Sequence, residues 1–181
     1  MVHQYKLNGY NIVLDTCSGG ELAVARRAGI PGSELGLHGN NKSDAELIRA
    51  LDMGLGRIVV DSMAELQRLD ALAVSRGEQA NVMLRLTPGV HAHTHEFIAT
   101  AHEDQKFGLS MAPDPAAGGV SPAAAAVAAA LDARGIRLLG LHCHIGSQIF
   151  DPAGFEEAAR RLLGFLAEVK ALHGVELPEL D

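Results

Sequence analysis

Short apolar runs alternate with longer amphipathic stretches along this chain of 181 residues. The apolar runs show little polar alternation, which is typical of strands buried on both faces of a parallel sheet. With helices between such strands, the pattern indicates the α/β class. The predicted strands are 11–15, 34–39, 57–61, 81–86 and 137–144, and a further strand begins within 176–181.

The amphipathic stretches predict the helices that separate these strands. Ser43 and Glu46 have the spacing of a capping box, and Ser62 with Glu65 repeats that spacing. Pro152 is well placed in the first turn of the last helix. The predicted helices are 19–29, 43–54, a stretch opened by Ser62, 121–134 and 152–173.

The chain thus holds about five strand–helix units in a single predicted domain, residues 1–181. A closed eight-unit barrel typically needs about 250 residues, so five units are too few to close one. An open doubly wound sheet fits the length better, but the Gly-rich fingerprint of a Rossmann fold is absent. The long irregular stretch from Thr87 to Gly108 is of a length that is usually functional or disordered.

Composition and charge narrow the class of protein. Hydrophobic residues make up 48% and charged residues 20%, the balance of a globular protein. A formal charge of −7 and only 4% aromatic residues argue against nucleic-acid binding. The two cysteines, Cys17 and Cys143, are too few for a disulfide framework, and neither a membrane span nor a secretory signal is visible. We therefore expect a cytoplasmic protein with no membrane partner.

Polar residues stand at the carboxyl ends of the predicted strands, where parallel α/β folds gather their functional side chains. Taken singly, each has a structural alternative: an aspartate can cap a helix, and a buried arginine can sit in an ion pair. Together they predict a shared functional site. Gathering so many polar side chains on one face costs desolvation energy, which is expected only where they are used. These residues are Asp15, His38, Asp61, Arg85, His142 and His144.

The segment "HCHIGSQ" carries the sharpest local signal. His142 and His144 are two apart and would share a strand face, with Cys143 on the other. The turn at Gly146 and Ser147 offers backbone N–H groups and a hydroxyl to a phosphate. A histidine pair that is hydrogen-bonded in a core, followed by an ordinary turn, is the alternative.

A second histidine cluster, "HAHTHE", lies in the long irregular stretch. His91, His93 and His95 alternate as metal ligands on a strand would. Because they lie in a polar loop, a solvated or substrate-facing cluster is favoured over a metal site, and we assign no metal.

Several segments together resemble diaminopimelate decarboxylases, in the group that includes the ornithine and arginine decarboxylases. The resemblance runs from about Val13 to Asp181 and is most specific in "THEFIATAHEDQKFG" and "HIGSQ". It is carried by "LDTCSGGEL", "LHGNNKSDAEL", "IVVDSMAEL", "LRLTPGVHAHTHEFIATAHEDQKFGL" and "GLHCHIGSQI".

The resemblance implies a partial (β/α)₈ barrel, or TIM barrel, of the alanine racemase-like type that binds pyridoxal 5'-phosphate. It further implies that His144 stacks on the pyridine ring and that Ser147 contacts the phosphate. Asp15 and Arg85 would belong to the polar network beside the ring. His38 would lie near them at the mouth of the barrel, which is the end where the strands have their carboxyl termini. Amino-acid substrate and homodimer formation are implied for full-length members of the family.

This sequence also departs from the pattern of that family. The family's Schiff-base lysine precedes the "LDTCSGGE" strand in a Tyr-Ala-x-Lys-type motif, which is not present here. None of three other lysines fits the position of the Schiff-base lysine. Lys6 is too close to Asp15 in the sequence, while Lys42 and Lys106 fall inside other motifs of the family. The Gly-rich phosphate loop, the carboxylate that pairs with the pyridine nitrogen and the C-terminal β domain would follow Asp181. We therefore expect an incomplete barrel without a catalytic residue of its own.

Four functions follow from these observations. The first is a fragment of a decarboxylase that converts meso-diaminopimelate to lysine and carbon dioxide, inactive by itself. Another basic-amino-acid decarboxylase of the same group is the nearest alternative. A non-catalytic barrel homologue that acts as a binding partner is the third. A metal-dependent hydrolase that uses His142 and His144 is the fourth.

Overall fold

A parallel β-sheet with helices against one face forms the framework of the molecule. The structure is a computed structural model that describes residues 13–89, 107–147, 150 and 152–181. The strands follow the order β1-β2-β3-β4-β6-β7, and the short β5 pairs with the end of β4. They are β1 (Leu14–Thr16), β2 (Leu35–Leu37), β3 (Arg57–Val60), β4 (Ala80–Thr87), β5 (Leu109–Ser110), β6 (Ile136–His142) and β7 (Glu179–Leu180).

Five helices in the described ranges connect these strands. The Ser43 hydroxyl accepts from the backbone N–H of Glu46, and the Glu46 carboxylate accepts from that of Ser43, so the predicted capping box is present. The helices are α1 (Gly19–Arg27), α2 (Asp44–Asp52), α3 (Met63–Arg76), α4 (Pro122–Asp132) and α5 (Ala153–His173).

The two faces of the sheet differ in chemistry. Side chains such as Leu37, Val60 and Leu84 pack against the helices in one apolar core. Alternate positions on the same strands face the other way, because successive side chains of a strand point to opposite sides. We call this second side the inner face. It carries apolar Val59 and Met83 together with Asp15 and His38 from the strand ends.

An ion pair shows that the sheet curls around this inner face. Nε of Arg57 at the start of β3 lies 2.6 Å from Oε2 of Glu179 on β7. Three strand spacings separate β3 from β7, which would be about 14 Å in a flat sheet. The pair can therefore form only if the strands bend toward each other, as in a partial barrel.

Each of the second and third units is fastened to the unit before it. At α2, Oε1 of Glu46 accepts from the backbone N–H of Gly19 at 2.8 Å, and Arg49 donates to the carbonyl oxygen of Gly19 at 2.8 Å. At α3, Arg68 donates to the carbonyl oxygen of Lys42 at 3.0 Å. The start of one helix is therefore set by side chains of the next.

The strongest of these connections is a buried ion pair between Lys42 and Glu65. Their side chains are 2% and 3% exposed, and Nζ lies 2.6 Å from Oε1. The Lys42 ammonium also donates to the carbonyl oxygens of Gly39, at 2.5 Å, and Val59, at 2.7 Å. All three donors of the ammonium group are thus satisfied.

The pair corrects one prediction from the sequence. Ser62 caps α3 through the N–H of Glu65, but the Glu65 carboxylate does not close a capping box. Its Oε2 accepts instead from the backbone N–H of Asp61 at 3.0 Å. The serine–glutamate spacing is the same at both helices, but at α3 a buried lysine claims the carboxylate.

The predicted strands are present with somewhat different ends; for example, the strand predicted at 81–86 extends over Ala80–Thr87. The strand predicted to reach residue 144 ends at His142, so strand alternation no longer fixes the direction of His144. The pairing of Leu109 with Leu86 in β5 was not predicted, because two residues are too few to produce a pattern. Residues 115–117, in a stretch of low complexity, form a 3₁₀ turn.

We expect Glu65→Gln to lower the free energy of unfolding by about 3–5 kcal/mol, because it leaves the buried Lys42 charge without its partner. Urea unfolding followed by circular dichroism measures this. Glu176→Gln is the matched control, since it removes the partner of Lys170 in an exposed ion pair and should leave the free energy of unfolding close to that of the parent. Equal losses in the two variants would contradict the assignment.

Candidate active site

The carboxyl ends of the strands bring four of the predicted residues to the inner face. Asp15 lies within β1, His38 follows β2, Arg85 lies near the end of β4 and His142 is the last residue of β6. Asp61, which follows β3, joins them through its carboxylate. The expectation that polar strand ends converge on one side of the sheet is therefore confirmed for these residues.

Asp15, His38 and His142 form one polar group. Oδ1 of Asp15 lies 3.2 Å from Nε2 of His38. The ring centroids of His38 and His142 are 5.1 Å apart, and the rings meet edge to face at 68°. The contact between Asp15 and His38 is possible because β2 carries Gly36 beside it. A Cβ added at Gly36 would lie 3.0 Å from Oδ1 of Asp15.

His142 is held as a neutral imidazole. It is 7% exposed, and its Nδ1 has no hydrogen-bond partner among the described residues. Burial lowers the pKa of His142 to about 4, and repulsion from His38 adds to this. Arg85 and His144 act in the same direction, whereas the Asp181 carboxylate opposes them.

A second group surrounds Arg85. Its Nε lies 3.6 Å from Oδ1 of Asp61, with side chains that are 16% and 4% exposed. The Arg85 guanidinium carbon also lies 4.8 Å from the centroid of the Phe107 ring, a cation–π contact. The guanidinium is thus placed between a buried carboxylate and an aromatic face.

His144 and Ser147 lie beyond the end of β6. Both are exposed, and Gly146 between them has φ of 135°, a conformation that favours glycine. Cys143 turns toward the helix side, where it packs against the apolar core, and burial raises the pKa of its thiol. The predicted roles of His144 and Ser147 remain predictions, because no hydrogen bond or ring contact joins either residue to the two polar groups within the described residues.

A cavity of about 410 Å³ opens along the inner face. The Arg57–Glu179 pair lies on its wall at one end, and Asp15 and His38 lie at the mouth. This volume falls within the range of about 300–1,000 Å³ that is usual for cofactor and ligand pockets.

Several predictions concern residues that lie outside the described part of the chain. Lys6, Lys106 and the histidines of the "HAHTHE" loop, His91, His93 and His95, belong here. Within residues 13–89, 107–147, 150 and 152–181, no group of three or more potential ligands could hold a metal ion. No helix in these ranges combines the length and apolar character needed to cross a membrane.

Sequence reasoning missed two parts of this site. It did not predict that Lys42 and Glu65 form a buried pair, nor that Phe107 contacts Arg85. A lysine and a glutamate 23 residues apart give no local signal. The three serine–glutamate pairs, at 18/21, 43/46 and 62/65, were the available hint that successive helices begin alike.

The fold and the site define a class: a partial parallel α/β barrel with polar side chains gathered at the carboxyl ends of its strands. Residues 5–181 match the family of pyridoxal-dependent decarboxylases, in its pyridoxal-binding domain. The chain belongs to this family.

Known proteins agree with this membership. The diaminopimelate decarboxylase of Mycobacterium tuberculosis is 54% identical over 165 residues, which are 91% of this chain and 35% of that protein. The chain therefore spans about a third of the length of that relative.

Solved structures confirm the partial barrel. The diaminopimelate decarboxylase of M. jannaschii in complex with L-lysine has a TM-score of 0.79 and 34% identity, over 92% of this chain and 36% of that one. A lysine decarboxylase from Selenomonas ruminantium has a TM-score of 0.75 and 25% identity, over 97% of this chain and 40% of that one.

We expect stability to fall as the pH drops from about 6.5 toward 4, because unfolded His142, with a pKa of about 6.5, binds a proton that the folded form resists. Well above pH 6.5 the group is neutral in both states and its contribution is complete. The loss between pH 7 and 5 should be about 2 kcal/mol from this residue.

Urea unfolding at several pH values measures this, with His142→Gln expected to remove that part of the pH dependence. His173→Gln, which replaces an exposed imidazole at the end of α5, is the matched control and should leave it intact. An unchanged pH profile in His142→Gln would contradict the prediction.

Proposed function

We propose that the chain is the cofactor-binding part of a decarboxylase that converts meso-diaminopimelate to lysine and carbon dioxide. The observation that carries this proposal is the polar mouth of Asp15, His38, Arg85 and His142 in a chain that is 54% identical to a diaminopimelate decarboxylase. The proposal concerns a longer protein, because the chain spans about a third of that relative.

The residues present fit pyridoxal 5'-phosphate. Two buried polar atoms at the mouth, Oδ1 of Asp61 and Nδ1 of His142, have no hydrogen-bond partner among the described residues. Buried polar groups are normally paired, so these atoms make the mouth polar, and the Arg85 guanidinium beside Asp61 offers donors to the acceptor groups of a ligand. When bound, the cofactor would act as an electron sink, which accepts the electron pair left on the substrate when carbon dioxide departs.

We assign the contacts of the cofactor as follows. His144 would stack on the pyridine ring, and Ser147 would donate to the phosphate. Asp15 and His38 would orient polar groups beside the ring, while Arg85 would supply a fixed positive charge. The exposure of His144 and Ser147 supports these assignments, since both side chains are open to a ligand.

The lysine that binds the cofactor covalently is proposed to come from a part of the longer protein that this chain does not span. Of the two lysines in the described ranges, Lys42 is fully engaged with Glu65 and two carbonyl oxygens. Lys170 lies on α5 and pairs with Glu176. Neither is available at the mouth.

Decarboxylation of another basic amino acid is the second candidate. The likeness to the S. ruminantium lysine decarboxylase favours it, but the identity of 25% is lower than the 34% shared with the M. jannaschii diaminopimelate decarboxylase.

We further propose that the full-length protein is cytoplasmic and homodimeric. The absence of a membrane-spanning helix in the described ranges is compatible with a cytoplasmic site.

Two chimeras test the substrate. Residues 13–181 replace the matching segment in the M. tuberculosis diaminopimelate decarboxylase and, separately, in the S. ruminantium lysine decarboxylase. We expect release of labelled carbon dioxide from meso-diaminopimelate in the first host and little activity in the second, because the segment must fit the remaining barrel. The 181-residue chain alone should release none above a boiled control.

The outcomes separate the candidates. Activity toward lysine in the second host, with none toward meso-diaminopimelate in the first, would favour a lysine decarboxylase. Folded chimeras that bind cofactor and act on neither substrate would support the non-catalytic homologue. Near-stoichiometric zinc or manganese with hydrolase activity would instead support the metal enzyme.

We expect His144→Ala in the first chimera to weaken cofactor binding by about 1–2 kcal/mol, because a stacked ring is lost. Ser147→Ala should cost a similar amount, about 1–2 kcal/mol, through one lost charge-assisted hydrogen bond. Fluorescence titration with pyridoxal 5'-phosphate measures both. His142→Ala is the comparison and should act mainly on folding, because His142 is buried. Parent-like affinity in His144→Ala would overturn its assignment.

A further inference from the structure

The Arg85 guanidinium is held in place by an ion pair and an aromatic ring, and neither contact uses its hydrogen-bond donors. Its Nε lies 3.6 Å from Oδ1 of Asp61, which is an ion-pair distance but longer than a hydrogen bond. Its Cζ also lies over the face of the Phe107 ring, 4.8 Å from the ring centroid. Within the described ranges, its N–H donors therefore remain available.

Asp61 is an unusual residue to keep at this position. Its side chain is 4% exposed, and Oδ1 has no hydrogen-bond partner in the described part of the chain. A buried carboxylate in this state costs free energy unless a nearby positive charge compensates for it. Arg85 is the described cation that pairs with it.

The backbone of Asp61 is fixed by the buried pair of Lys42 and Glu65. Its backbone N–H donates to Oε2 of Glu65, and Oε1 of the same carboxylate binds the buried Lys42 ammonium. Because Lys42 also binds the carbonyl oxygen of Val59, two residues before Asp61, the end of β3 is held at two points. Asp61 is thus a rigid support for Arg85.

The opposite side of Arg85 is fixed by the start of β5. Gly108 has φ of 81°, and an added Cβ there would lie 3.1 Å from the carbonyl oxygen and 3.4 Å from Cγ of Arg85. Thr87 donates to the carbonyl oxygen of Phe107 at 2.9 Å. The glycine therefore lets the Phe107 segment approach closely enough to cover the guanidinium.

We propose that Asp61 is a positioning residue, which acts through Arg85 to direct the free N–H donors of the guanidinium toward the bound cofactor. Asp61 also neutralises part of the Arg85 charge, so that the cofactor meets a directed donor group rather than an unbalanced cation. The inference rests on the proposed function of the mouth as a cofactor site. It assigns to Asp61 a role distinct from direct contact.

The test uses Asp61→Asn in the M. tuberculosis chimera, which keeps the shape and removes the charge. We expect about tenfold weaker binding of pyridoxal 5'-phosphate and a similar fall in kcat, about tenfold, because a charge-assisted interaction is lost. KM for meso-diaminopimelate should change less than about threefold. The pH midpoint of the bound cofactor's absorbance change should move lower, since the site becomes more positive by one charge.

Two further variants show whether Asp61 acts through Arg85. In an Arg85→Lys background, Asp61→Asn should add little further loss, because residues that act as a unit are not additive. Asp52→Asn removes an exposed aspartate–arginine pair with Arg76 and is the matched control, with parent-like binding and pH midpoint. Full additivity, or parent-like values in Asp61→Asn, would overturn the proposal.

A measurement on the chain alone separates this proposal from the proposed function. In nuclear magnetic resonance spectra without cofactor, the Nε–H proton of Arg85 should exchange with water faster in Asp61→Asn than in the parent and in Asp52→Asn, because the guanidinium is no longer held beside the buried carboxylate and becomes more exposed to water. Unchanged exchange overturns the positioning role, whatever the chimera does. A chimera that fails to bind cofactor, with exchange altered as expected, rejects the proposed function and leaves Asp61 as the residue that positions Arg85.

Discussion

The buried pair of Lys42 and Glu65 is the interaction on which the mouth of this barrel depends. Two charges that are almost fully removed from water are stable together only with close geometry and satisfied donors. The pair has both, since the ammonium binds two carbonyl oxygens besides the carboxylate. By holding the end of β3, it sets the place of Asp61 and, through Asp61, that of Arg85.

The division of the sheet into two faces explains how a small fold carries so many polar groups. The helix side is filled with leucine, valine and alanine and provides the apolar burial that stabilises the fold. The inner face is then free to hold Asp15, His38, Arg57 and Arg85, each with a partner of opposite charge or a polar neighbour. Stability and site chemistry are therefore carried by alternate residues of the same strands.

Much of the fold could be predicted because its signals are local. Apolar runs indicate the strands, and the serine–glutamate spacing of Ser43 and Glu46 marks a helix start that the structure confirms. The strand ends also predicted that polar residues would gather on one face, and the contacts of Asp15 with His38 and of Asp61 with Arg85 lie there.

The missed features depend on contacts between distant segments. The spacing of Ser62 and Glu65 predicts a capping box, but only the folded chain brings Lys42 to the carboxylate. Phe107 reaches Arg85 through the two-residue strand β5, which is too short to show periodicity. His144 lies past the end of β6, so strand alternation could not fix its direction.

The way each unit grips the one before it has a consequence for how the protein is made. Glu46 and Arg49 hold the backbone of Gly19, which a ribosome has already synthesised when α2 emerges. Glu65 and Arg68 hold Lys42 in the same backward direction. The second and third strand–helix units therefore find these docking partners already synthesised, and this part of the barrel can begin to assemble in the order of translation.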